Sequence, residues 1–90
     1  VMSHSLYRLQ GYLLFYHQKD YQSAAVVYNY AAQLKPNDDR AWYYLMASRY
    51  MLKDCRYVDA AKRFLALCKQ GAECEPRDLS WAQQNLTCAF

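Results

Sequence analysis

Residues 21–32 of the chain read YQSAAVVYNYAA, and residues 57–68 read YVDAAKRFLALC. A constant shift of 36 positions carries the aromatic and small residues of the first segment onto their counterparts in the second. In both segments these residues follow the spacing i, i+3, i+4, i+7, i+10, i+11, which is one face of an α-helix. The matched residues are Tyr21, Ala24, Ala25, Tyr28, Ala31 and Ala32, followed by Tyr57, Ala60, Ala61, Phe64, Leu67 and Cys68. Two such faces in fixed register predict a duplicated helical unit.

A further helix is predicted ahead of each segment. The first covers about residues 5–17, and Asp20 is suited to cap the helix that follows it. Pro36 ends this second helix, because the residue before a proline avoids the α conformation. Asn37 or Asp38 can then cap a third helix.

The third and fourth helices are predicted over about residues 39–52 and 57–70, with Gly71 as a natural C-terminal stop. Proline is tolerated in the first turn of a helix, so Pro76 predicts the start of a fifth one. The predicted fold class is therefore all-α, with two tandem helical hairpins and a C-terminal capping helix in a single domain. The domain spans residues 1–90, the hairpins 5–35 and 38–71, and the closing helix 76–89.

The composition argues against a disordered chain and a strongly basic nucleic-acid binder. Of 90 residues, 54% are hydrophobic and only two are glycine, whereas disordered chains are poor in apolar residues. The net charge is only +3. The basic residues near the fourth helix are Lys53, Arg56, Lys62, Arg63 and Lys69. Asp54 and Asp59 interrupt them, which favours a solvated face over a phosphate-binding one. We therefore predict no nucleic-acid partner, and the absence of a long apolar run predicts no membrane insertion.

The cysteine spacing does not fit a metal site. The four cysteines are Cys55, Cys68, Cys74 and Cys88. Zinc modules present close pairs of ligands, which this spacing lacks. Cys68 lies on an apolar helix face, so we predict free thiols in a reducing compartment, with a Cys74–Cys88 bridge as the alternative. Val1-Met2 fits one added residue ahead of an initiator methionine, and with the free thiols this predicts a cytoplasmic protein without a cleaved leader.

Catalytic motifs are missing as well. The sequence has no glycine-rich phosphate loop, and neither His4 nor His17 has a nucleophile or carboxylate in a recognisable catalytic arrangement. We predict no catalytic residues, no metal and no cofactor, and therefore a protein that is not an enzyme.

The duplicated unit resembles the tetratricopeptide repeat, a 34-residue helical hairpin. With Pro36 as the closing proline of unit one, the residues on signature places are Phe15, Ala24, Tyr28 and Ala31, and in unit two Trp42 and Leu45. Gly11 and Tyr12 depart from the pattern, since they stand where the family prefers Leu and Gly. The turn over residues 52–56 has two extra residues, and Ala72 replaces the second closing proline. The resemblance covers about residues 5–71 and implies a fragment of a right-handed α-solenoid.

In this family the first helices of successive hairpins line a concave groove for a ligand. The places carried over are Leu6, Leu9, Leu13, Tyr16, Tyr43, Ala47, Tyr50 and Met51. The implied groove is apolar, so we expect it to hold an amphipathic helix or an extended segment of another protein. Tyr16, Tyr43 and Tyr50 are the predicted anchors. The alternative is that the closing helix folds back and fills the groove itself.

Among such proteins the chain resembles the small tetratricopeptide chaperones of bacterial type III secretion, in its size, in its apolar groove and in residues 19–25, KDYQSAA. This resemblance implies a heterodimer with a small secreted subunit, such as a needle or translocator component. The alternative function is that of a structural adaptor, a piece of a longer repeat scaffold. Since exposed apolar surfaces tend to associate, a homodimer of the unliganded form would also fit.

Overall fold

The computed structural model describes residues 3–90, and in this part of the chain the only regular secondary structure is helical, without a strand. Its helices are α1 (His4–Tyr12), α2 (Tyr21–Leu34), α3 (Asp39–Met51), α4 (Tyr57–Lys69) and α5 (Pro76–Gln84). The predicted all-α fold class is therefore confirmed. None of these helices is long and apolar enough to cross a membrane. The interpretation of Val1-Met2 as an added residue and an initiator lies outside the described residues.

The helices pack in chain order, α1 on α2, α2 on α3, α3 on α4 and α5 on α4. Because short turns join them, sequential helices are antiparallel neighbours and form two hairpins, α1–α2 and α3–α4. The first helix is extended past α1 by a π-helical turn, Leu13–His17, in which the amide of Gln18 donates to the carbonyl of Leu13 at 3.0 Å. This wider turn brings the chain to the start of α2.

The two duplicated segments supply most of the core, as their shared spacing predicts. The buried members are Ala24, Tyr28, Ala31 and Ala32 in α2, and Tyr57, Ala60, Ala61, Phe64 and Leu67 in α4. Between them, α3 contributes buried Leu45 and Met46. The alanines are fully buried and have small side chains, so the neighbouring helices can approach closely.

Gly11 explains one departure from the repeat pattern. A Cβ atom added to this glycine would lie 2.7 Å from Cε2 and Cζ of the Tyr28 ring. Tyr28 is 1% exposed, and its ring stacks on that of Tyr44 with 5.2 Å between centroids. The backbone of α1 therefore approaches α2 so closely at this point that any larger residue requires the ring to move.

The predicted helix ends are largely confirmed. A carboxylate oxygen of Asp20 accepts a hydrogen bond from the Ser23 amide at 3.1 Å, and Asp38, rather than Asn37, caps α3. Gly71 has a φ of 107°, and the amide of Ala72 donates to the carbonyl of Leu67 at 3.1 Å. This is the glycine-terminated helix end that the sequence predicts.

The predicted end of the closing helix, at residue 89, is wrong, because α5 ends at Gln84. The Asn85 side chain donates to the carbonyl of Trp81 at 2.8 Å and so replaces the next helical bond. Beyond it, the hydroxyl of Tyr57 donates to the Thr87 carbonyl and accepts from the Ala89 amide, both at 2.9 Å. These bonds hold residues 85–90 in an irregular conformation on α4.

The prediction of free thiols is also wrong, and so is the alternative Cys74–Cys88 bridge. The structure pairs Cys55 with Cys88 and Cys68 with Cys74. Because α5 runs antiparallel to α4, the residues before α5 return to the end of α4, and the residues after α5 return to its start. The Cα atoms are 5.2 and 5.8 Å apart, within the range of disulfides. The two disulfides thus join the residues on either side of α5 to the two ends of α4.

Candidate partner-binding surface

The four groove residues predicted in the first helix lie along one side of α1 and the π-helical turn. They are Leu6, Leu9, Leu13 and Tyr16, with exposed fractions of 52%, 57%, 42% and 47%. We call this set the α1 row. Their spacing of i, i+3, i+7 and i+10 places them on one face of the helix. The row is an apolar strip whose side chains are about half exposed along its length.

The four groove residues predicted in the second hairpin come together around one depression. Tyr43, Ala47, Tyr50 and Met51 line it together with Phe15, Met46 and Trp81. We call this depression, of about 260 Å³, the apolar cleft. It is smaller than the roughly 300–1,000 Å³ typical of small-molecule sites. The cleft therefore suits one or two inserted side chains better than a cofactor.

All three predicted anchors have contacts within the protein, and those of Tyr50 and Tyr43 involve the second hairpin and the residues after it. Tyr50 meets Trp81, Phe90 and Tyr57, with centroids 5.0, 5.1 and 5.2 Å apart. Tyr43 lies against Phe64 at 5.4 Å. Trp81 of α5 and Phe90 thus cover one end of the apolar cleft. This partly matches the alternative in which the closing helix folds back and fills the groove. The α1 row remains open.

Sequence reasoning missed Tyr44, which links the two halves of the surface. Its ring lies 5.6 Å from that of Phe15, 5.8 Å from that of Tyr16 and 5.2 Å from that of Tyr28. The hydroxyl of Tyr16 donates to that of Tyr44 at 3.1 Å. The repeat pattern assigns no role to this position, so only its aromatic character could have drawn attention to it.

Three tyrosine hydroxyls in and beside this surface, those of Tyr16, Tyr28 and Tyr43, have raised pKa values and stay protonated at neutral pH. Burial, and then the hydrogen bond with Tyr44, raises the pKa of Tyr16 above its ordinary value. Burial likewise raises the pKa of Tyr28 and, with the nearby charge of Asp78, that of Tyr43. Neutral phenols offer apolar area and hydrogen bonds but no nucleophile or general base near neutral pH.

The start of the α1 row is held by a buried carboxylate. Asp38 is 8% exposed, and its Oδ2 atom lies 2.6 Å from Nε2 of His4 and 3.3 Å from Nε of Arg8. Its other carboxylate oxygen accepts from the Arg40 amide at the start of α3. One side chain thus fixes α1 against α3, so the α1 row has a defined position. The side chain of Arg8, next to Leu9 in the sequence, is 43% exposed and pairs with this carboxylate.

Comparison with known proteins adds no assignment: no family model, curated protein or solved structure matches the chain. The resemblance to the tetratricopeptide repeat therefore rests on its motif residues and on the helical hairpins. Among residues 3–90, no group of three His, Cys, Asp or Glu side chains comes together that could hold a metal ion.

Proposed function

We propose that the chain is a non-catalytic binding protein that holds an apolar helical segment of another protein along the α1 row and the apolar cleft. The observation that supports this most directly is the exposure of the α1 row, whose four large apolar side chains are each at least 42% exposed. Contiguous apolar surface of this kind usually marks a protein interface. We infer no enzyme activity and no cofactor.

A helix is the occupant that fits the surface best. The α1 row runs over about ten residues of helix, roughly 15 Å at 1.5 Å per residue. That length matches the i, i+3, i+4 and i+7 anchors of an amphipathic helix of about three turns. Leu9, Leu13 and Tyr16 would lie beside these anchors, and the apolar cleft would receive one more side chain at the end near Met51. Arg8 favours a partner with an acidic residue near one end of this helix.

The particular task we propose is that of a tetratricopeptide-like chaperone. A secreted subunit with a sticky apolar helix, such as a type III secretion needle or translocator component, would self-assemble too early unless that helix were covered. A heterodimer with such a subunit would need roughly 800 Å² of buried surface per partner. An empty surface of the same kind could pair with a second copy of the chain.

The cytoplasmic location stays a prediction with reduced support. It was inferred together with free thiols, whereas the cysteines are paired in two disulfides. Structural disulfides persist mainly in oxidising compartments. Binding along the α1 row does not involve the disulfides, because the row contains no cysteine, whereas the proposed chaperone task requires a cytoplasmic location.

The test compares two double variants that carry the same added charge. Leu9→Glu with Leu13→Glu alters the α1 row. Val26→Glu with Leu34→Glu alters α2 at side chains that are 52% and 57% exposed. Each variant and the wild type would be tagged and purified from the native organism, and co-purifying proteins would be quantified by mass spectrometry. Circular dichroism would establish that both variants keep the wild-type helix content.

The proposal predicts one small protein at one-to-one stoichiometry with the wild type, lost with the α1-row variant and retained with the α2 variant. If the partner persists with the α1-row variant, the proposed surface is wrong. If no protein reaches equal stoichiometry, the chaperone task is wrong.

A structural adaptor is the second candidate, because α2 has its own exposed apolar stripe. Val26, Tyr30 and Leu34 follow the spacing i, i+4, i+8 and are each more than half exposed. Charged residues are absent from α2, whereas a solvent-facing helix normally carries them. A neighbouring repeat could pack here. Several partners at unequal stoichiometry, lost with the α2 variant, would favour this candidate.

A further inference from the structure

The disulfide Cys55–Cys88 joins the turn before α4 to the segment after α5, which packs on Tyr50 at one end of the apolar cleft. We call this segment, residues 85–90, the strap. The ring of Phe90 in the strap lies 5.1 Å from that of Tyr50 and 6.0 Å from that of Tyr57. The strap also bonds the hydroxyl of Tyr57, which is fully buried. The strap therefore shields two tyrosines of the second hairpin from solvent.

We propose that the strap is a redox-controlled cover, which a dithiol reductant opens by breaking Cys55–Cys88. The two thiols of the reductant become a disulfide, and its two electrons and two protons convert Cys55 and Cys88 into thiols. Opening exposes Tyr50 and Tyr57 and lengthens the apolar surface beyond Met51. The consequence for partner binding rests on the proposed function, whereas the opening itself does not.

The disulfide is the main restraint on the strap, since its other contacts are few. Five of its six residues are exposed, and only Asn85 is half-buried. Segments with little buried area open locally at low free-energy cost. Loss of the covalent bond leaves the two hydrogen bonds to Tyr57, the bonds of Asn85 to Trp81 and Ala82 in α5, and the ring of a half-exposed Phe90.

Helix α5 and the residues before it are held by other contacts, so they stay in place when the strap opens. Ala82 of α5 is fully buried, and Asp78 pairs with Arg40 at 3.3 Å. The second disulfide, Cys68–Cys74, holds the chain before α5. Its two cysteines are half-buried, whereas Cys55 and Cys88 are exposed, so a reductant reaches the strap disulfide first. Reduction thus releases the strap without releasing α5.

The experiment uses two matched double variants without any partner. Cys55→Ser with Cys88→Ser removes the strap disulfide, and Cys68→Ser with Cys74→Ser removes the other. Amide hydrogen exchange, followed by mass spectrometry, reports on residues 85–90, and the fluorescence of anilinonaphthalene sulfonate reports on exposed apolar surface. Peptides from α2 serve as the internal reference for global opening.

We expect exchange in the strap to become roughly tenfold faster or more in the first variant, with increased dye fluorescence, while α2 stays protected and reports the loss of global stability. Dithiothreitol should produce the same change in the wild type, and the second variant should keep wild-type strap protection. Wild-type exchange of the strap in the folded first variant would overturn the proposal.

Should the first variant fail to fold, Phe90→Ala tests the cover with both disulfides intact. Dye fluorescence should rise because the ring over Tyr50 is gone, and an unchanged signal would contradict the covering role. A strap that opens as expected while the α1-row variant keeps its partner would leave this inference standing and reject the proposed binding surface.

Discussion

The guanidinium group of Arg40 lies 3.3 Å from the carboxylate of Asp78, whose side chain is only 3% exposed. Arg40 belongs to the first turn of α3 and Asp78 to the first turn of α5, so this pair joins the starts of the two helices. The same guanidinium group lies 4.5 Å from the centre of the Tyr43 ring. The position of the closing helix is thereby coupled to a residue of the apolar cleft.

Arg40→Met should destabilise the fold by about 3 kcal/mol, the lower end of the range for breaking a buried ion pair. The lower end applies because Nε of Arg77 also lies 3.5 Å from Asp78 and can take over part of the pairing. Urea unfolding monitored by circular dichroism would measure the loss. Arg77→Met is the control, and since that side chain is 84% exposed it should cost less than about 1 kcal/mol. Equal losses in the two variants would contradict the role of Arg40.

Gly11→Ala should destabilise the protein by about 1–2 kcal/mol, although alanine is the better helix former. The added methyl group would lie 2.7 Å from the buried ring of Tyr28. The sign should reverse when Tyr28 is first replaced by leucine, because the space of the ring is then open and only the gain in helix propensity remains. The urea midpoints of the wild type, the two single variants and the double variant would show whether the sign reverses. A constant penalty in both backgrounds would rule out the contact as its cause.

Asp20 should make the start of α2 sensitive to acid. Hydrogen bonds from Ser23 lower the pKa of Asp20 below its ordinary value. A carboxylate whose pKa is lowered by folding adds stability above its unfolded pKa and loses it as the pH falls through the folded pKa. Asp20→Asn should therefore be less stable than the wild type at pH 7, and the difference should shrink below about pH 4. Urea midpoints at pH 7 and pH 3 would measure both, and a difference independent of pH would argue against the charged cap.

The two disulfides should differ in their contribution to stability. Cys55–Cys88 closes a loop with a sequence separation of 33, and Cys68–Cys74 one with a separation of 6. In the chain-entropy description, the longer loop contributes about 3–4 kcal/mol and the shorter one about 2 kcal/mol. Unfolding of the two double serine variants, without reductant, would compare them. A larger loss from removing Cys68–Cys74 would show that packing around the bridges, rather than loop length, sets their contribution.

Much of the helical architecture was determined by the sequence, because it depends on local patterns. The 36-residue repeat of aromatic and small residues predicted α2 and α4 and most of their buried face. Asp20, Pro36 and Gly71 predicted helix ends, since caps and breakers act within one turn of the chain. The α1 row was predicted as part of a groove, because the resemblance to the tetratricopeptide repeat implies that its residues line one.

Contacts between distant residues were decided by the tertiary structure. The pairing of the four cysteines depends on how α5 lies on α4, and spacing along the chain could not indicate it. The irregular conformation of residues 85–90 depends on the hydroxyl of Tyr57, about 30 residues away in the sequence. Tyr44 acquires its linking role only when α1, α2 and α3 meet around it. Helix periodicity specifies which face is apolar, but the packing of whole helices specifies which apolar residues remain exposed for a partner.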